Sequence, residues 1–208
     1  LEGASNNGSL FIHVFDANGL NVQGASVHVI NSAKTPNVIV DDVTDNEGML
    51  RIIDTPTGTL SYHITVSKDA YSSDYTVSSS VNNPNPIKPP ANVVSQTVTE
   101  ISFSIDRAGS LILNTLSPSC SAIGGASFNI YGEKTIGKNP IVYKYDQNLI
   151  TNGNGQYSFS NMEWDKYHLN VSGAVYDIAG SQPILPIDLT PGLAQDAQLI
   201  LLPHTANS

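Results

Sequence analysis

Through the first part of the chain, apolar side chains recur at every second position. Leu10, Ile12 and Val14 alternate with Phe11, His13 and Phe15, Val27 and Val29 flank His28, and Tyr62, Ile64 and Val66 flank His63 and Thr65. A period of two sends one face of an extended segment into a core and the other toward water, so these runs are half-buried strands. Between them lie the turn-forming stretches Asp-Ala-Asn-Gly at 16–19, Asp-Asn-Glu-Gly at 45–48 and Thr-Pro-Thr-Gly at 55–58. Their Gly and Pro residues supply the positive or preset φ that tight turns need. The pattern predicts strands at 9–15, 25–30, 37–43, 48–53, 60–67, 74–78 and 96–105. It repeats them at 110–115, 126–131, 140–146, 156–160, 166–172, 184–189 and 195–202. No stretch carries a 3.6-residue period, and short strands at this spacing read as an antiparallel sandwich.

The second set of strands echoes the first in sequence. Gly8-Ser9-Leu10-Phe11-Ile12 returns as Gly109-Ser110-Leu111-Ile112-Leu113, and Gly24-Ala25-Ser26-Val27 as Gly125-Ala126-Ser127-Phe128, both at an offset of 101. Thr44-Asp45-Asn46-Glu47-Gly48 matches Thr151-Asn152-Gly153-Asn154-Gly155 at 107, which places a six-residue insertion in the second copy. Tyr62-His63-Ile64 then matches Tyr167-His168-Leu169 at 105. The chain therefore reads as two copies of one unit, at 8–106 and 107–203. A loose polar segment, 1–7, precedes them, and a tail, 204–208, leads toward a further repeat. A Pro-rich excursion, 82–90, interrupts the first copy before its last strand and favours extended backbone outside a sheet interior. The join at 106–109 is too short for free tumbling, so a semi-rigid rod is expected.

These blocks carry a family resemblance. Phe15-Asp16-Ala17-Asn18-Gly19, Val22-Gln23-Gly24-Ala25-Ser26-Val27, 44–49 and 62–71 together resemble carboxypeptidase regulatory-like domains, relatives of the transthyretin-like and collagen-adhesin B-type sandwiches. The resemblance covers nearly all of 8–105. It is thinner in the second copy, where Ser117-Pro118-Ser119-Cys120 replaces the first Asp-x-x-Gly turn. It implies an all-β chain of two tandem antiparallel Greek-key, Ig-like or prealbumin-like β-sandwiches. It also implies a non-catalytic module that spaces, stabilises or presents parts of an extracellular protein. The tandem form looks like the ectodomains of bacterial pilin-like or pseudopilin-like surface proteins. Many collagen-adhesin B-type domains are locked by a Lys–Asn or Lys–Asp isopeptide bond, whose lysine would have to lie on the first strand. None lies at 9–15 or 110–115, so no such bond is expected.

Charge narrows the partners. Nine Lys plus Arg against eighteen Asp plus Glu give a net charge of −9, and charged residues make up only 13%. Nucleic acid and anionic lipid are thereby disfavoured as partners. No apolar run approaches the length of a membrane span, so this segment is expected to make no membrane contact and to be anchored by a segment outside it. Cys120 is the single cysteine and has no internal disulfide partner.

The candidate chemistry is sparse. No nucleophile elbow, zincin helix, phosphate loop or dinucleotide fingerprint is present, so the chain reads as neither an enzyme nor a cofactor binder. His13, His28 and His63 share the outward phase of strands that, as the resemblance implies, would neighbour one another in one sheet, which makes them the candidate zinc ligands. Asn114 and Asn129 replace the first two in the second copy, which favours solvent-facing polar positions instead. Asp41, Asp42, Asp45 and Glu47 gather four carboxylates and are the candidate calcium ligands. Against that, Asp45 is the turn residue that the resembled family's pattern requires. Trp164, Phe11 and Phe15 are the candidate binding aromatics, whereas Tyr167 has a core phase. The leading reading is a structural, spacing or adhesive module of a surface assembly whose partners are other domains or subunits, or a host or cell-surface protein or glycan. A module recognising glycan or protein through its Pro-rich loops is the rival, and a regulatory appendage of an enzyme elsewhere in the chain is third.

Overall fold

A computed structural model describes residues 6–171, 173 and 175–205. All regular structure in them is β. In chain order the strands are β1 (Gly8–Phe15), β2 (Ser26–Asn31), β3 (Val38–Val43), β4 (Met49–Thr55), β5 (Gly58–Ser67), β6 (Asp74–Tyr75), β7 (Ala91–Val93) and β8 (Val98–Ser104). They continue as β9 (Gly109–Leu116), β10 (Ser127–Gly132), β11 (Thr135–Gly137), β12 (Val142–Tyr143), β13 (Asp146–Ile150) and β14 (Gln156–Met162). The last four are β15 (Asp165–Val171), β16 (Tyr176–Gln182), β17 (Ile187–Leu189) and β18 (Ala194–Pro203). No helix among the described residues is long and apolar enough to cross a membrane.

The chain divides into two compact units. The first runs to Arg107 and includes Ile136–Pro140, and the second holds Ala108–Thr135 and continues from Ile141. In the first unit one sheet has the order β4-β1-β8, and the other has β3-β2-β5-β6 with β7 also paired to β5. In the second unit the sheets are β14-β9-β18-β16 and β13-β10-β15-β17. Each unit closes on its own core, because alternation puts one row of every long strand inward. Leu10, Ile12 and Val14 are fully buried, together with Val29, Tyr62 and Ile105. Leu111, Leu113 and Ile130 do the same in the second unit, beside Phe128 and Tyr167. The inward phase expected of Tyr167 is therefore realised.

One ladder in each unit departs from antiparallel pairing. β8 lies parallel to β1, from Ser9 opposite Val98 to Phe15 opposite Ser104. β18 lies parallel to β9 over an equal span, from Ser110 opposite Ala194 to Leu116 opposite Ile200. The first and last long strands of each unit are thus neighbours running the same way. Within each unit the pairings β1-β4, β2-β3, β2-β5, β5-β6, β5-β7, β9-β14, β10-β13, β10-β15, β15-β17 and β16-β18 are antiparallel.

The turns before β4 and β14 are built alike. Thr44 and Thr151 are both buried, and each hydroxyl oxygen accepts a backbone N–H, from Ala25 and Ala126, at 3.0 Å. Asp45 Oδ1 accepts the N–H groups of Glu47 (2.8 Å) and Met49 (2.9 Å), and Asn152 Oδ1 accepts those of Asn154 (2.9 Å) and Gln156 (3.0 Å). Gly48 and Gly155 both take φ of +70°, and a methyl group on either would meet a backbone carbonyl, of Val14 or Thr115, at 2.7 Å.

One expected strand is replaced, and two strands, β7 and β16, lie where none was expected. The strand placed at 140–146 is instead the β11–β12 hairpin followed by β13, and it is β13 that pairs with β10. The six residues by which the sequence offset grows between Ile130 and Thr151 fall there. β7 forms directly after the Pro-rich excursion, where only three residues reach β5. β16 pairs with β18 through an irregular register between Ile178 and Gly180, which hides its alternation.

Candidate functional site

The histidines proposed for zinc do not share a sheet. His28 and His63 lie on β2 and β5, but His13 lies on β1, in the facing sheet of the sandwich. A period of two fixes which side of a strand a residue occupies, not which sheet the strand joins. His13 Nε2 is instead 3.0 Å from Asn21 Oδ1, and its ring packs at 3.8 Å on Phe15. His28 pairs through Nδ1 with Asp41 Oδ1 at 2.6 Å.

The four carboxylates also separate. Asp41 engages His28, and Asp42 Oδ1 accepts the N–H of Val43 at 2.8 Å. Asp45 and Glu47 converge on Arg51, which donates Nη1 to Asp45 Oδ2 and Nη2 to Glu47 Oε2. Those two carboxylates are therefore already paired with a positive side chain. The Met49 N–H, with lesser help from the Glu47 N–H and Arg51, holds the Asp45 carboxyl below its ordinary range. No group of three or more metal-ligating side chains stands together among the described residues.

Around His28 the outer face of β3-β2-β5 forms a shallow depression of about 320 Å³, lined by Ser26, His28, Asp41, Asp42, Thr65 and Ser67 among others. The register explains it. His28 stands directly between Asp41 on β3 and Thr65 on β5, and Ser26 stands between Val43 and Ser67. The chemistry on offer is hydrogen bonding with a net acidic character.

Two of the candidate aromatics, Trp164 and Phe15, have a ring contact. Trp164 is half-buried, and the Lys134 ammonium sits 3.1 Å from its ring centroid. Phe11 is half-buried on β1 between Arg51 of β4 and Glu100 of β8, and Phe15 carries the His13 ring. Near the Pro-rich excursion, Lys88 turns inward onto Asp74 and lies 4.4 Å from the ring centroid of buried Phe103. The excursion's backbone is bonded to Ile136–Pro140 of the same unit: the Ile87 N–H donates to Ile136 O (3.0 Å) and the Lys138 N–H to Asn85 O (3.0 Å).

One cluster went unread in the sequence. Glu163 Oε1 accepts Lys134 Nζ at 2.9 Å, and its Oε2 accepts Lys144 Nζ at 2.7 Å. The Tyr167 hydroxyl donates to Glu163 O at 2.8 Å, and the Lys134 N–H donates to Asp165 Oδ2 at 2.9 Å. Burial lowers the Lys134 ammonium from its ordinary pKa while Glu163 opposes the shift. Burial pushes the Tyr167 phenol upward, with Asp165 and Glu163 adding to it. Two ammonium groups and two carboxylates compensate one another here, so the arrangement fixes the start of β15 instead of presenting a charge. Only the Glu-Trp-Asp-Lys run signalled it, because Lys134 and Lys144 are distant in sequence.

No protein-family model matches this chain, and no curated protein matches it. Among solved structures it is similar to the Bacillus anthracis TIE protein at 14% identity and a TM-score of 0.36; 94% of this chain is covered, and it spans 34% of that one. It is also similar to the shaft pilin of Lactobacillus rhamnosus GG, at 9% identity and a TM-score of 0.35, with 97% and 100% of the two chains covered. A minor pilin of Streptococcus agalactiae gives 12% identity and a TM-score of 0.36 over 97% and 100%.

Proposed function

We propose that this chain is a non-catalytic structural spacer of an extracellular bacterial surface protein. In this reading it is built from two copies of one sandwich, of the kind seen in carboxypeptidase regulatory-like and collagen-adhesin B-type modules. Its partners are other domains or subunits of a surface assembly.

The observation that carries this reading is how the chain leaves its first unit. A spacer transmits position only if its exit is fixed. Ile105 and Asp106 are buried, the Ser72 N–H donates to Asp106 O (2.8 Å), and Asp106 Oδ2 accepts the Ala17 N–H (3.1 Å). Arg107 then bridges to Tyr71, and β9 begins at Gly109, so a single residue, Ala108, separates the two. The glycan- or protein-binding alternative is less supported, because Lys88 and the backbone of the Pro-rich excursion are spent within the first unit.

The test is antibody labelling of intact cells that make the full-length protein. Surface labelling that protease treatment removes is the expected result. Labelling only after lysis overturns the reading.

A further inference from the structure

We infer that each unit is a tension-bearing clamp, in which pull along the chain loads the ladder between its first and last strands in shear. This rests on the spacer reading for its purpose, but its geometry stands on the strand order alone. In the first unit the start of β1 meets the start of β8, where the Gln96 N–H donates to Asn7 O at 2.9 Å and the Ser9 N–H to Thr97 O at 2.9 Å. The far ends meet where the Ile105 N–H donates to Phe15 O at 3.0 Å. Force drawn through the chain enters at the start of β1 and leaves at the end of β8. Those are opposite ends of a parallel pair.

Such a load runs along the strands, so the seven registered pairs from Ser9–Val98 to Phe15–Ser104 resist together and none can open alone. Sliding by one residue would also turn every inward side chain outward. Leu10, Ile12 and Val14, with Phe103 and Ile105, would have to leave the core at once. β1 is held on its other edge as well, by β4, so no edge of it is free. The second unit repeats the device with β9 between β14 and β18.

An antiparallel arrangement of the same two strands would put entry and exit at one end and would peel bond by bond. The proposal therefore makes mechanical strength depend on direction. Forced unfolding is governed by the unfolding rate in the direction of pull, not by equilibrium stability.

The experiment pulls the full chain, in a Cys120→Ser background, through two pairs of thiol handles. The pair Asn6→Cys and Arg107→Cys loads the first unit in shear. The pair Asn6→Cys and Gln96→Cys, at neighbouring ends of β1 and β8, peels the same ladder. All three handle positions are exposed, and equal urea midpoints of the two variants check that the fold is the same in both measurements. The expected rupture force is several-fold higher for the first pair, because about seven pairs bear the load instead of one or two. Equal forces, or a stronger peel, overturn the clamp. Surface labelling decides the spacer reading separately, so either can fail without the other.

Discussion

Replacing Gly155 by Ala places a methyl group where the chain has no room and asks an L-residue to hold φ of +70°. Gly125, in the same unit, holds φ of +73° with nothing within 4 Å of the added carbon. The pair separates two costs that usually travel together. The left-handed conformation alone costs about 1–2 kcal/mol, and both variants incur it. In Gly155→Ala the new carbon also lies 2.7 Å from Thr115 O and 2.9 Å from Ile123 O, backbone atoms that must shift. Overpacking of that kind adds about 1–3 kcal/mol.

The assay is urea unfolding followed by tryptophan fluorescence. Trp164 is the one tryptophan and belongs to the second unit, so its signal isolates that unit from the first. With a urea slope of about 2 kcal/mol/M, Gly125→Ala lowers the midpoint by about 0.5–1 M and Gly155→Ala by about 1–2.5 M. Equal shifts would show that the backbone conformation is the whole cost and that the carbonyl cradle yields freely. No shift in either would refute the left-handed requirement itself.

Two further outcomes follow from titrating groups. The folded first unit holds the Asp45 carboxyl below its ordinary value of 3.8, so the unfolded chain takes up the proton first as pH falls. Stability that Asp45 contributes is present above 3.8 and lost below it as pH drops through the folded value. Asp45→Asn keeps the turn's acceptor, as Asn152 does in the second unit, and should flatten the acid limb of the first unit's unfolding midpoint measured by circular dichroism. Tyr167 shifts the other way, so above its ordinary value of 10 the unfolded chain ionises while the folded one keeps its proton. Its contribution is full below pH 10 and is lost as pH rises. Tyr167→Phe should start about 1 kcal/mol weaker, for the lost bond to Glu163 O, and should lose less of its Trp164-detected midpoint above pH 10.

What the sequence made legible, and what it concealed, follows from the range of each interaction. Alternation is local, so Leu10, Ile12, Val14, Tyr62 and Tyr167 could be assigned to the core, and all lie within 1% exposure. Strand direction and sheet membership are not local. Nothing in Val98–Ser104 records that it runs parallel to Gly8–Phe15, and nothing in the phase of His13 records that β1 faces the sheet of His28 and His63. The Asp45 turn was readable because its hydrogen bonds span only two to four residues. Arg51 stood in the same phase as Met49 and carried the missing signal, that of a cation placed to meet Asp45 and Glu47. The Lys134–Glu163–Lys144 cluster had no comparable local sign, since its members come together only when β15 closes beside the β11–β12 hairpin.

The same division explains which positions the two-copy reading leaves free to differ. The inward row of the first strand is Leu10, Ile12, Val14 in one unit and Leu111, Leu113, Thr115 in the other, all at 0–1% exposure. The outward row changes its chemistry, from Phe11, His13 and Phe15 to Ile112, Asn114 and Leu116. A module whose work lay in an outward site on this strand would need matching outward residues. A module whose work lies in the ladder needs only the backbone and the row beneath it, since main-chain N–H and C=O groups pair whatever side chains they bear. In both units the seven-pair parallel ladder is kept while the outward side chains vary, and a function residing in the backbone accounts for both facts at once.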